Sequence, residues 1–305
     1  MAGETGLETV AIFGPTAIGK TGVAIALADR LRERGEEPVA VNCDSIQVYR
    51  GLERLSGAAT AEERERLEHR LLGVVDTHEE FSAGRYAELA QREIDRLLKT
   101  DRRPIVVGGT GLYLRAALAD LELRPPVPAE VRAEVERELI ERGPEALHAE
   151  LSEELASGVH PNDRKRIGRL TELTRLGIAP HPSSEGLWTG RLRHPTVLVG
   201  LTLDRDVLHR RIDERVEAMV EAGAASEVVR ATRSGASRTA RAAIGYRELE
   251  DGDVWGMKRA QRAYARRQLT WMRRMPGVEL IDRTGRSDED VAAQVEATLA
   301  PAPSL

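Results

Sequence analysis

The sequence has few of the residues that build disulfide frameworks, zinc modules and membrane anchors. It contains one cysteine and seven histidines in 305 residues, which excludes an internal disulfide, and no Cys or His pair has zinc-site spacing. No apolar run approaches the roughly 18 residues of a membrane span, and the N-terminal segment lacks the basic start and apolar stretch of a signal peptide. We therefore expect a soluble, cytoplasmic protein that uses no membrane.

Aromatic residues are also scarce, with two Phe, five Tyr and three Trp. Hydrophobic residues nevertheless make up 41% of the chain, which is enough for a folded core. That core must be built mainly from Val, Ile, Leu and Ala. The length fits two domains, or one large domain that carries an insertion.

The net charge of −5 at first argues against a nucleic-acid partner, but the charges are distributed unevenly. Residues 230–247 and 258–274 together hold twelve Arg and Lys and no acid, so the rest of the chain sums to −17. A third, smaller basic patch surrounds residues 164–169. Each run could be a solvated helix face, but the lack of local acids favours a polyanion partner, and Tyr246, Tyr264 and Trp271 are candidates for stacking on bases.

Short, wholly apolar runs alternate with helical patterns, which is typical of a parallel sheet covered on both faces. Pro-rich sequence then leads into a charged, helical stretch, and the alternation resumes near residue 196. We read residues 125–192 as a helical insertion and residues 1–124 and 193–305 as an α/β core. The predicted strands are Thr9–Phe13, Pro38–Cys43, Pro104–Val107, Thr196–Leu203 and Val278–Ile281, and the predicted helices include Lys20–Arg34, one from Ser82 to Leu98, and Gly256–Met275.

A phosphate-binding motif follows the first predicted strand. Residues 14–21 read GPTAIGKT, which fits G-x-x-x-x-G-K-[ST] in full between a strand and a helix. In such a loop, backbone N–H groups and the helix N-terminus converge on phosphate oxygens, Lys20 neutralises the outer phosphate, and Thr21 can bind Mg²⁺. The alternative is an ordinary glycine-rich turn, but the residues and their context agree on phosphate.

Two further polar segments follow predicted strands at the same edge of the sheet. DSIQVY begins at Asp44 and GGTGLY begins at Gly108. A carboxylate at this edge could bind Mg²⁺ or accept a proton from a substrate, and the alternative for Asp44 is an Asx turn or helix cap. No strand ends in the Asp-Glu pair of a hydrolytic Walker B motif, so the sequence does not support ATP hydrolysis.

The chain resembles the bacterial tRNA dimethylallyltransferases, also called tRNA isopentenyltransferases, over almost its whole length. The matching segments follow the order that they have in the family. GPTAIGKT is similar to the family's GPTASGKT loop, and DSIQVY to its D-S-x-Q-x-Y segment. The other matching segments are HRLLGVVDTHEEFSAGRY, GGTGLY, HPNDRKRIGR, RRIDERVEAMVEAG, AIGYREL and ARRQLTWMRR.

The resemblance implies transfer of a dimethylallyl group from dimethylallyl diphosphate to the N6 amine of the adenosine 3′ of the anticodon, with release of diphosphate. It implies a P-loop NTPase-like parallel sheet flanked by helices, with a helical insertion domain. It also implies Mg²⁺ as cofactor, the tRNA anticodon stem–loop as partner, and a monomer. Extraction of the adenosine into a tunnel would follow the logic of base flipping.

The resemblance further implies roles for single residues. Asp44 would be the general base, Thr110 would position the attack, and Arg215 would neutralise the leaving group. The diphosphate would be held by Gly14, Thr16, Ala17, Ile18, Gly19, Lys20 and Thr21, with Thr21 on the metal. The tRNA contacts would be Asp44, Ser45, Ile46, Gln47, Thr110, Arg132, Lys165, Arg166, Ile167, Gly168, Arg169, Ala242, Gly245, Tyr246 and Arg247.

The chain departs from the family pattern at two places. Ala59 and Thr60 stand where the family carries Lys-Pro, which removes one basic contact and changes the local loop sequence. Ile18 replaces a small residue in the phosphate loop, which is tolerable because backbone amides do the binding.

Three other functions fit part of the sequence. An adenylate isopentenyltransferase acting on free AMP, ADP or ATP would share the phosphate loop and aspartate without needing the insertion or basic segments. A small-molecule kinase with the same loop is a second, and an RNA-binding NTP sensor without chemistry is a third. Asp44 and Thr110 at the loop's edge favour an enzyme over the sensor.

Overall fold

The structure, a computed structural model, describes residues 7–178 and 189–299. The chain divides into two compact units, which we call the core unit (Met1–Leu121 with Gly190–Leu305) and the insertion unit (Glu122–Thr189). The unpatterned Pro/Ser/Gly segment at 180–190 lies almost wholly outside the described residues. Within the described ranges, no helix is both long and apolar enough to cross a membrane.

The core unit contains a six-stranded sheet in the order β4-β2-β6-β1-β7-β8, in which every pairing is parallel. The predicted α/β fold with a parallel sheet is therefore confirmed. A second, two-stranded sheet pairs β3 with β5. The strands are β1 (Thr9–Phe13), β2 (Glu37–Asn42), β3 (Tyr49–Arg50), β4 (His69–Arg70), β5 (Val75–Asp76), β6 (Arg102–Gly108), β7 (Thr196–Thr202) and β8 (Glu279–Asp282).

Fifteen helices accompany the strands in the described residues, and four of them, α6 to α9, form the insertion unit. They are α1 (Lys20–Glu33), α2 (Glu53–Ser56), α3 (Ala61–Arg66), α4 (Ala83–Lys99), α5 (Gly111–Leu118), α6 (Ala129–Glu141), α7 (Gly143–Ala149), α8 (Glu153–Ser157), α9 (Arg164–Arg175), α10 (Arg205–Glu221), α11 (Ala224–Arg233), α12 (Arg238–Arg241), α13 (Tyr246–Glu250), α14 (Val254–Arg274) and α15 (Asp288–Ala297).

The central strand β1 is buried along its whole length, because helices cover the sheet. Its β-branched and apolar residues suit a strand that faces no solvent. Helices α1 and α15 pack into one apolar cluster with residues of β1, β2, β6, β7 and β8, while α4 contacts β2 and β6. The parallel arrangement brings the carboxyl ends of β1, β2 and β6 to one edge, where the predicted motifs begin.

Capping side chains begin α4, where the sequence predicts its start, and α9. The Ser82 hydroxyl accepts the Arg85 N–H at the start of α4, and the Asp163 carboxylate accepts the Arg166 N–H at the start of α9. The predicted long strands agree with the observed ones to within about two residues. The two-residue strands β3, β4 and β5 were not predicted, because they are too short to show a period.

Helix α14, which contains the basic run at residues 258–274, is not exposed on all sides. Its sequence is rich in Arg, yet one face is buried in the core unit. That face carries Met257, Gln261, Ala265, Gln268 and Met272, at spacings of three and four residues. Because long cationic side chains occupy the other face, the composition of the segment does not reveal this buried stripe.

The insertion unit has a small apolar core of its own. Val135 and Leu139 of α6 pack with Leu147 of α7 and Ile167 of α9. Gly168 lies against this core, because a Cβ there would stand 2.9 Å from the Leu139 side chain. Close contact between α6 and α9 thus explains the glycine in the RIGR segment.

Candidate active site at the carboxyl edge of the sheet

The loop between β1 and α1, residues 14–19, has the backbone shape of an anion-binding loop, and we call it the phosphate loop. Ala17 and Gly19 have positive φ angles of 62° and 89°, which turn the chain sharply before α1. The Lys20 ammonium folds back and donates hydrogen bonds to the carbonyls of Gly14, at 3.1 Å, and Pro15, at 2.9 Å. The lysine is therefore held over the loop, where a phosphate group would lie.

The charge state of Lys20 is sensitive to its surroundings. Burial, and after it the nearby Arg215 guanidinium, lower the pKa of Lys20 to about 8, while the Asp44 carboxylate acts in the opposite direction. Two cations and one carboxylate therefore interact electrostatically at this edge of the sheet. An anionic ligand would relieve the repulsion between Lys20 and Arg215.

Residues 43–48, which we call the aspartate loop, connect β2 to β3. Asp44 Oδ1 accepts the N–H groups of Ile46, at 2.9 Å, and Gln47, at 3.4 Å, which is an Asx turn. The buried Asn42 amide bonds both the N–H and the C=O of Asp44. The other carboxylate oxygen, Oδ2, has no hydrogen-bond partner within the described residues, so the turn and a proton-accepting role are compatible.

Thr110 connects the aspartate loop to α14. Its hydroxyl oxygen accepts the Ser45 N–H at 3.2 Å and lies 3.4 Å from the Tyr264 hydroxyl. The threonine stands at the N-cap position of α5, directly after Gly109, and we call residues 109–110 the threonine turn. Thr110 and Asp44 thus lie side by side, at the sheet edge where the sequence places both segments.

Arg215 of α10 reaches the same region from the other side of the site. Its Nη2 donates to the carbonyls of Ser56, at 3.4 Å, and Gly57, at 3.1 Å. The Gln47 side chain donates to the same two carbonyls. Burial lowers the pKa of Arg215, and the Asp44 carboxylate acts to raise it. The Arg215 guanidinium is therefore close enough to the aspartate loop to interact with its charge.

A cavity of about 380 Å³ opens between the phosphate loop and α10. Its lining includes Arg211, one helical turn before Arg215 on the same face of α10. Arg211 has no acidic partner in the part of the chain that the structure describes. The residues that line the cavity are Ala17, Gly19, Arg211, Glu214, Arg215 and Ala218.

Two further residues contact the phosphate loop and were not predicted from the sequence. The buried Arg283, just after β8, donates to the Ile18 carbonyl and pairs with Asp288 at 2.8 Å. Gln268 of α14 accepts the Thr16 N–H at 2.9 Å. The Arg283–Ile18 and Gln268–Thr16 contacts each join residues more than 200 positions apart in the sequence. No local motif predicts them.

The scarce aromatic residues are concentrated near Asp44. Tyr86 and Tyr113 stack with their ring centroids 4.2 Å apart, and Phe81 lies 6.4 Å from the Tyr113 ring. Burial raises the pKa of Tyr86, Tyr113 and Tyr264, and the Asp44 charge contributes to each shift. These phenols therefore stay neutral, and they give the aspartate an apolar surrounding with hydroxyl groups.

The residues present fit a magnesium ion that arrives with a phosphorylated substrate. Among the described residues, no cluster of three or more His, Cys, Asp or Glu could form a protein cage for a metal. The Thr21 hydroxyl, at the start of α1, forms no hydrogen bond with another described residue. Mg²⁺ commonly binds through one or two protein oxygens, substrate phosphates and water, and Thr21 supplies one such oxygen.

The predicted tRNA contacts of the insertion unit differ in exposure. Lys165 and Arg166 are exposed, whereas Arg132 and Arg169 both pair with Glu172. Ile167 is fully buried in the core of this unit, and Gly168 packs on that core. Both residues hold α9 in place, and a contact of either with tRNA stays a prediction.

The predicted segment at 242–247 shows a similar division. Ala242 and Arg247 are exposed, but Gly245 is buried and Tyr246 is only 1% exposed. The Tyr246 hydroxyl bonds the Thr232 hydroxyl at 2.8 Å inside the core unit. The prediction that Tyr246 stacks on bases is therefore wrong, because its ring is not accessible.

The other two candidate stacking residues, Tyr264 and Trp271, are half-buried against the site. Tyr264 contacts Thr110, and a Cβ at Gly111 would collide with the Trp271 ring. By contrast Trp255, at the start of α14, is 67% exposed and was not predicted. It lies 4.8 Å from the Lys258 ammonium.

The basic segments are only partly neutralised by acids from other elements. In the first half of α14, Lys258 pairs with Glu217 at 2.5 Å and Arg262 pairs with Asp213, both on α10. In the second half, no acidic partner is present in the described residues for Arg266, Arg267 or Arg273. Positive charge without an acidic partner therefore lies on Arg266, Arg267 and Arg273, in a segment that also touches the threonine turn.

The chain is similar to known proteins over most of its length. The IPP transferase family model matches residues 47–275. The tRNA dimethylallyltransferase of Thermobifida fusca is 38% identical over 296 residues, covering 90% of this chain and 92% of that protein. The enzyme of the same name from Kineococcus radiotolerans is 38% identical, covering 96% of each chain.

Solved structures show the same relationship. The tRNA isopentenylpyrophosphate transferase of Bacillus halodurans matches with a TM-score of 0.68 and 34% identity, over 95% of this chain and 94% of that one. A eukaryotic dimethylallyltransferase acting on tRNA matches with a TM-score of 0.73 and 25% identity, over 95% and 77% of the two chains. The chain belongs to the IPP transferase family.

Proposed function

We propose that the protein transfers the dimethylallyl group of dimethylallyl diphosphate to the N6 amine of the adenosine 3′ of the anticodon in tRNA, releasing diphosphate. The observation that carries the proposal is the placement of two loops at one sheet edge. The phosphate loop with Lys20 can hold a diphosphate, and Asp44 beside Thr110 can accept a proton. Arg215 lies within electrostatic reach of both Lys20 and Asp44.

The two loops divide the reaction between them. The adenine N6 attacks C1 of the dimethylallyl group, the C1–O bond breaks, and the electron pair leaves with the diphosphate. Asp44 Oδ2 accepts the proton that N6 loses, which the unpartnered position of this oxygen allows. Thr110, hydrogen-bonded to the aspartate loop, orients the amine.

The leaving group gains negative charge as the C1–O bond breaks. Backbone N–H groups of the phosphate loop, Lys20 and Arg215 are placed to stabilise that charge, and Arg211 lines the same cavity. Mg²⁺ held by the diphosphate and the Thr21 hydroxyl would supply additional charge neutralisation. The Thr16 N–H is already bonded to Gln268, so Thr16 would contribute its hydroxyl.

Transfer to tRNA is tested directly with labelled dimethylallyl diphosphate, Mg²⁺ and unmodified tRNA, in competition with AMP. We expect label on tRNA at the adenosine 3′ of the anticodon and none on AMP. Label on AMP alone would instead identify an adenylate isopentenyltransferase. Label on neither acceptor would contradict prenyl transfer altogether.

We propose that tRNA binds through the exposed cations Lys165, Arg166 and Arg247 and through residues 264–274. Binding through phosphate contacts must weaken steeply as salt rises, because each neutralised phosphate releases counterions. Replacing Arg266, Arg267 and Arg273 by Gln should reduce the slope of log Kd against log salt by about 2 to 3. Replacing Arg259, which pairs with Asp253, is the matched control and should change the slope less.

A further inference from the structure

The Gln268 side chain connects the two loops of the site. Its Oε1 accepts the Thr16 N–H of the phosphate loop at 2.9 Å, and its Nε2 donates to the Gly109 carbonyl of the threonine turn at 2.8 Å. The residue is only 4% exposed. One amide group therefore spans the gap between the donor side of the site and the acceptor side.

The chemistry of both contacts requires an amide. The Thr16 N–H needs an acceptor and the Gly109 carbonyl needs a donor, and a neutral carboxamide offers one of each in a fixed plane. An ionised glutamate would accept the first bond but would present a negative oxygen to the Gly109 carbonyl. An aliphatic side chain would leave both backbone groups without this partner.

The backbone near Gln268 is shaped to admit it. A Cβ at Gly109 would collide with Gln268 Nε2, and a Cβ at Gly111 would collide with the Trp271 ring. The glycines of GGTG thus allow α14 to approach the threonine turn. Tyr264, one turn before Gln268, reaches the Thr110 hydroxyl at 3.4 Å, so the same face of α14 touches the turn at three points.

We propose that Gln268 is a positioning residue, which sets the distance between the phosphate loop and the threonine turn and so aligns the prenyl donor with the adenine amine. The inference rests on the proposed function for its kinetic consequence. It does not require that Gln268 touch either substrate. A displacement of about 1 Å between reacting groups can cost about 10²-fold in rate, so the effect belongs in kcat rather than in substrate affinity.

The test compares Gln268→Ala and Gln268→Glu in the full-length protein across pH. We expect both variants to lower kcat about 10- to 100-fold at pH 8 while tRNA affinity stays within about twofold. On lowering the pH, the Glu variant should recover relative to wild type, because its protonated carboxyl regains an O–H donor for Gly109. The Ala variant has no such group and should show no recovery. Lys20 titrates in every variant, so the ratio to wild type removes its contribution.

Gln91→Glu is the matched control. Gln91 Nε2 donates to the carbonyls of Ala116, at 2.9 Å, and Ala119, at 3.2 Å, at the far end of α5. The control loses the same type of bond without touching either loop, so kcat should be unchanged. A kcat for Gln268→Ala within about threefold of wild type, or identical pH profiles for the two Gln268 variants, would overturn the proposal.

Hydrogen exchange separates this inference from the proposed function. Gln268→Ala should speed amide exchange in peptides that cover residues 14–20 and 109–113 together, whereas Gln91→Glu should not. Unchanged exchange in both peptides would exclude the bridge even in an active enzyme. If the wild-type protein transfers no prenyl group, the proposed function fails, yet the exchange experiment still decides whether Gln268 holds the two loops.

Discussion

The phosphate loop follows β1 and the aspartate loop follows β2, with β6 between these strands in the sheet, and the two loops are held in different ways. The phosphate loop is fixed mainly by cations, since Lys20 donates to its first carbonyls and Arg283 to the Ile18 carbonyl. The aspartate loop is fixed by neutral groups, namely the Asn42 amide and the Thr110 hydroxyl. The first loop is suited to an anion, and the second keeps one carboxylate oxygen ready for a proton.

This difference predicts that damage to the two loops separates in the kinetics. Changes in the aspartate loop should act on the chemical step, because that loop carries the proton acceptor. Changes in the phosphate loop should act largely on donor binding, because that loop carries the charge that recognises diphosphate.

Asp44→Asn should lower kcat by about 10³-fold, because the amide cannot accept the proton from N6. The Asn oxygen can still accept the Ile46 N–H, so the Asx turn and tRNA affinity should persist. Single-turnover transfer to tRNA and a separate tRNA-binding assay measure the two quantities. Turnover within tenfold of wild type would remove Asp44 as the base.

Thr110→Val should lower kcat by about 10²-fold, because the Ser45 N–H loses its acceptor and the aspartate loop loses its link to α14. Thr110→Ser keeps the hydroxyl and is the matched control, with activity close to wild type. The donor KM should change little in either variant. If the two variants behave alike, the hydroxyl is not what holds the loop.

The two loops were also unequally accessible to sequence reasoning. The phosphate loop is a local feature, since its shape follows from glycine spacing and the strand before it, and its position was predicted correctly. The parallel sheet and the start of α4 at Ser82 were predicted for the same reason. The contacts of Gln268 and Arg283 come from distant segments, and nothing local distinguishes a buried Gln in a basic helix from an exposed one.

The same limit explains the error over Tyr246. This residue lies in a segment rich in Arg, which made it a candidate for stacking on bases, but tertiary packing buries its side chain. The segments without local acids also find acids in space, as when Arg262 pairs with Asp213 of α10. Charge along the chain therefore overstated the free positive surface.

Donor affinity should depend on pH through Lys20. Its pKa is lowered to about 8 in the free protein, so the ammonium loses its proton as pH rises through that value. A bound diphosphate favours the charged form and raises the pKa, so binding takes up a proton. The Kd for inorganic diphosphate should therefore weaken by about tenfold between pH 7 and pH 9. Calorimetry in buffers of different ionisation enthalpy measures both effects, and Lys20→Met should flatten the profile.

Thr60→Ala should give the smallest effect and should leave catalysis intact. Thr60 departs from the family's proline, yet it has a clear role, because its hydroxyl accepts the Glu63 N–H and its own N–H donates to the Glu63 carboxylate. This capping box starts α3 just after Gly57, whose carbonyl accepts from both Gln47 and Arg215. Loss of the cap should cost about 1 kcal/mol of unfolding free energy, measured by urea denaturation. Because Arg215 and Gln47 bond backbone groups before the cap, kcat and the donor KM should stay within about twofold of wild type. A larger change in kcat or in the donor KM would show that the segment after Gly57 supports the active site in addition to α3. The replacement of Lys-Pro by Ala59-Thr60 would then affect catalysis.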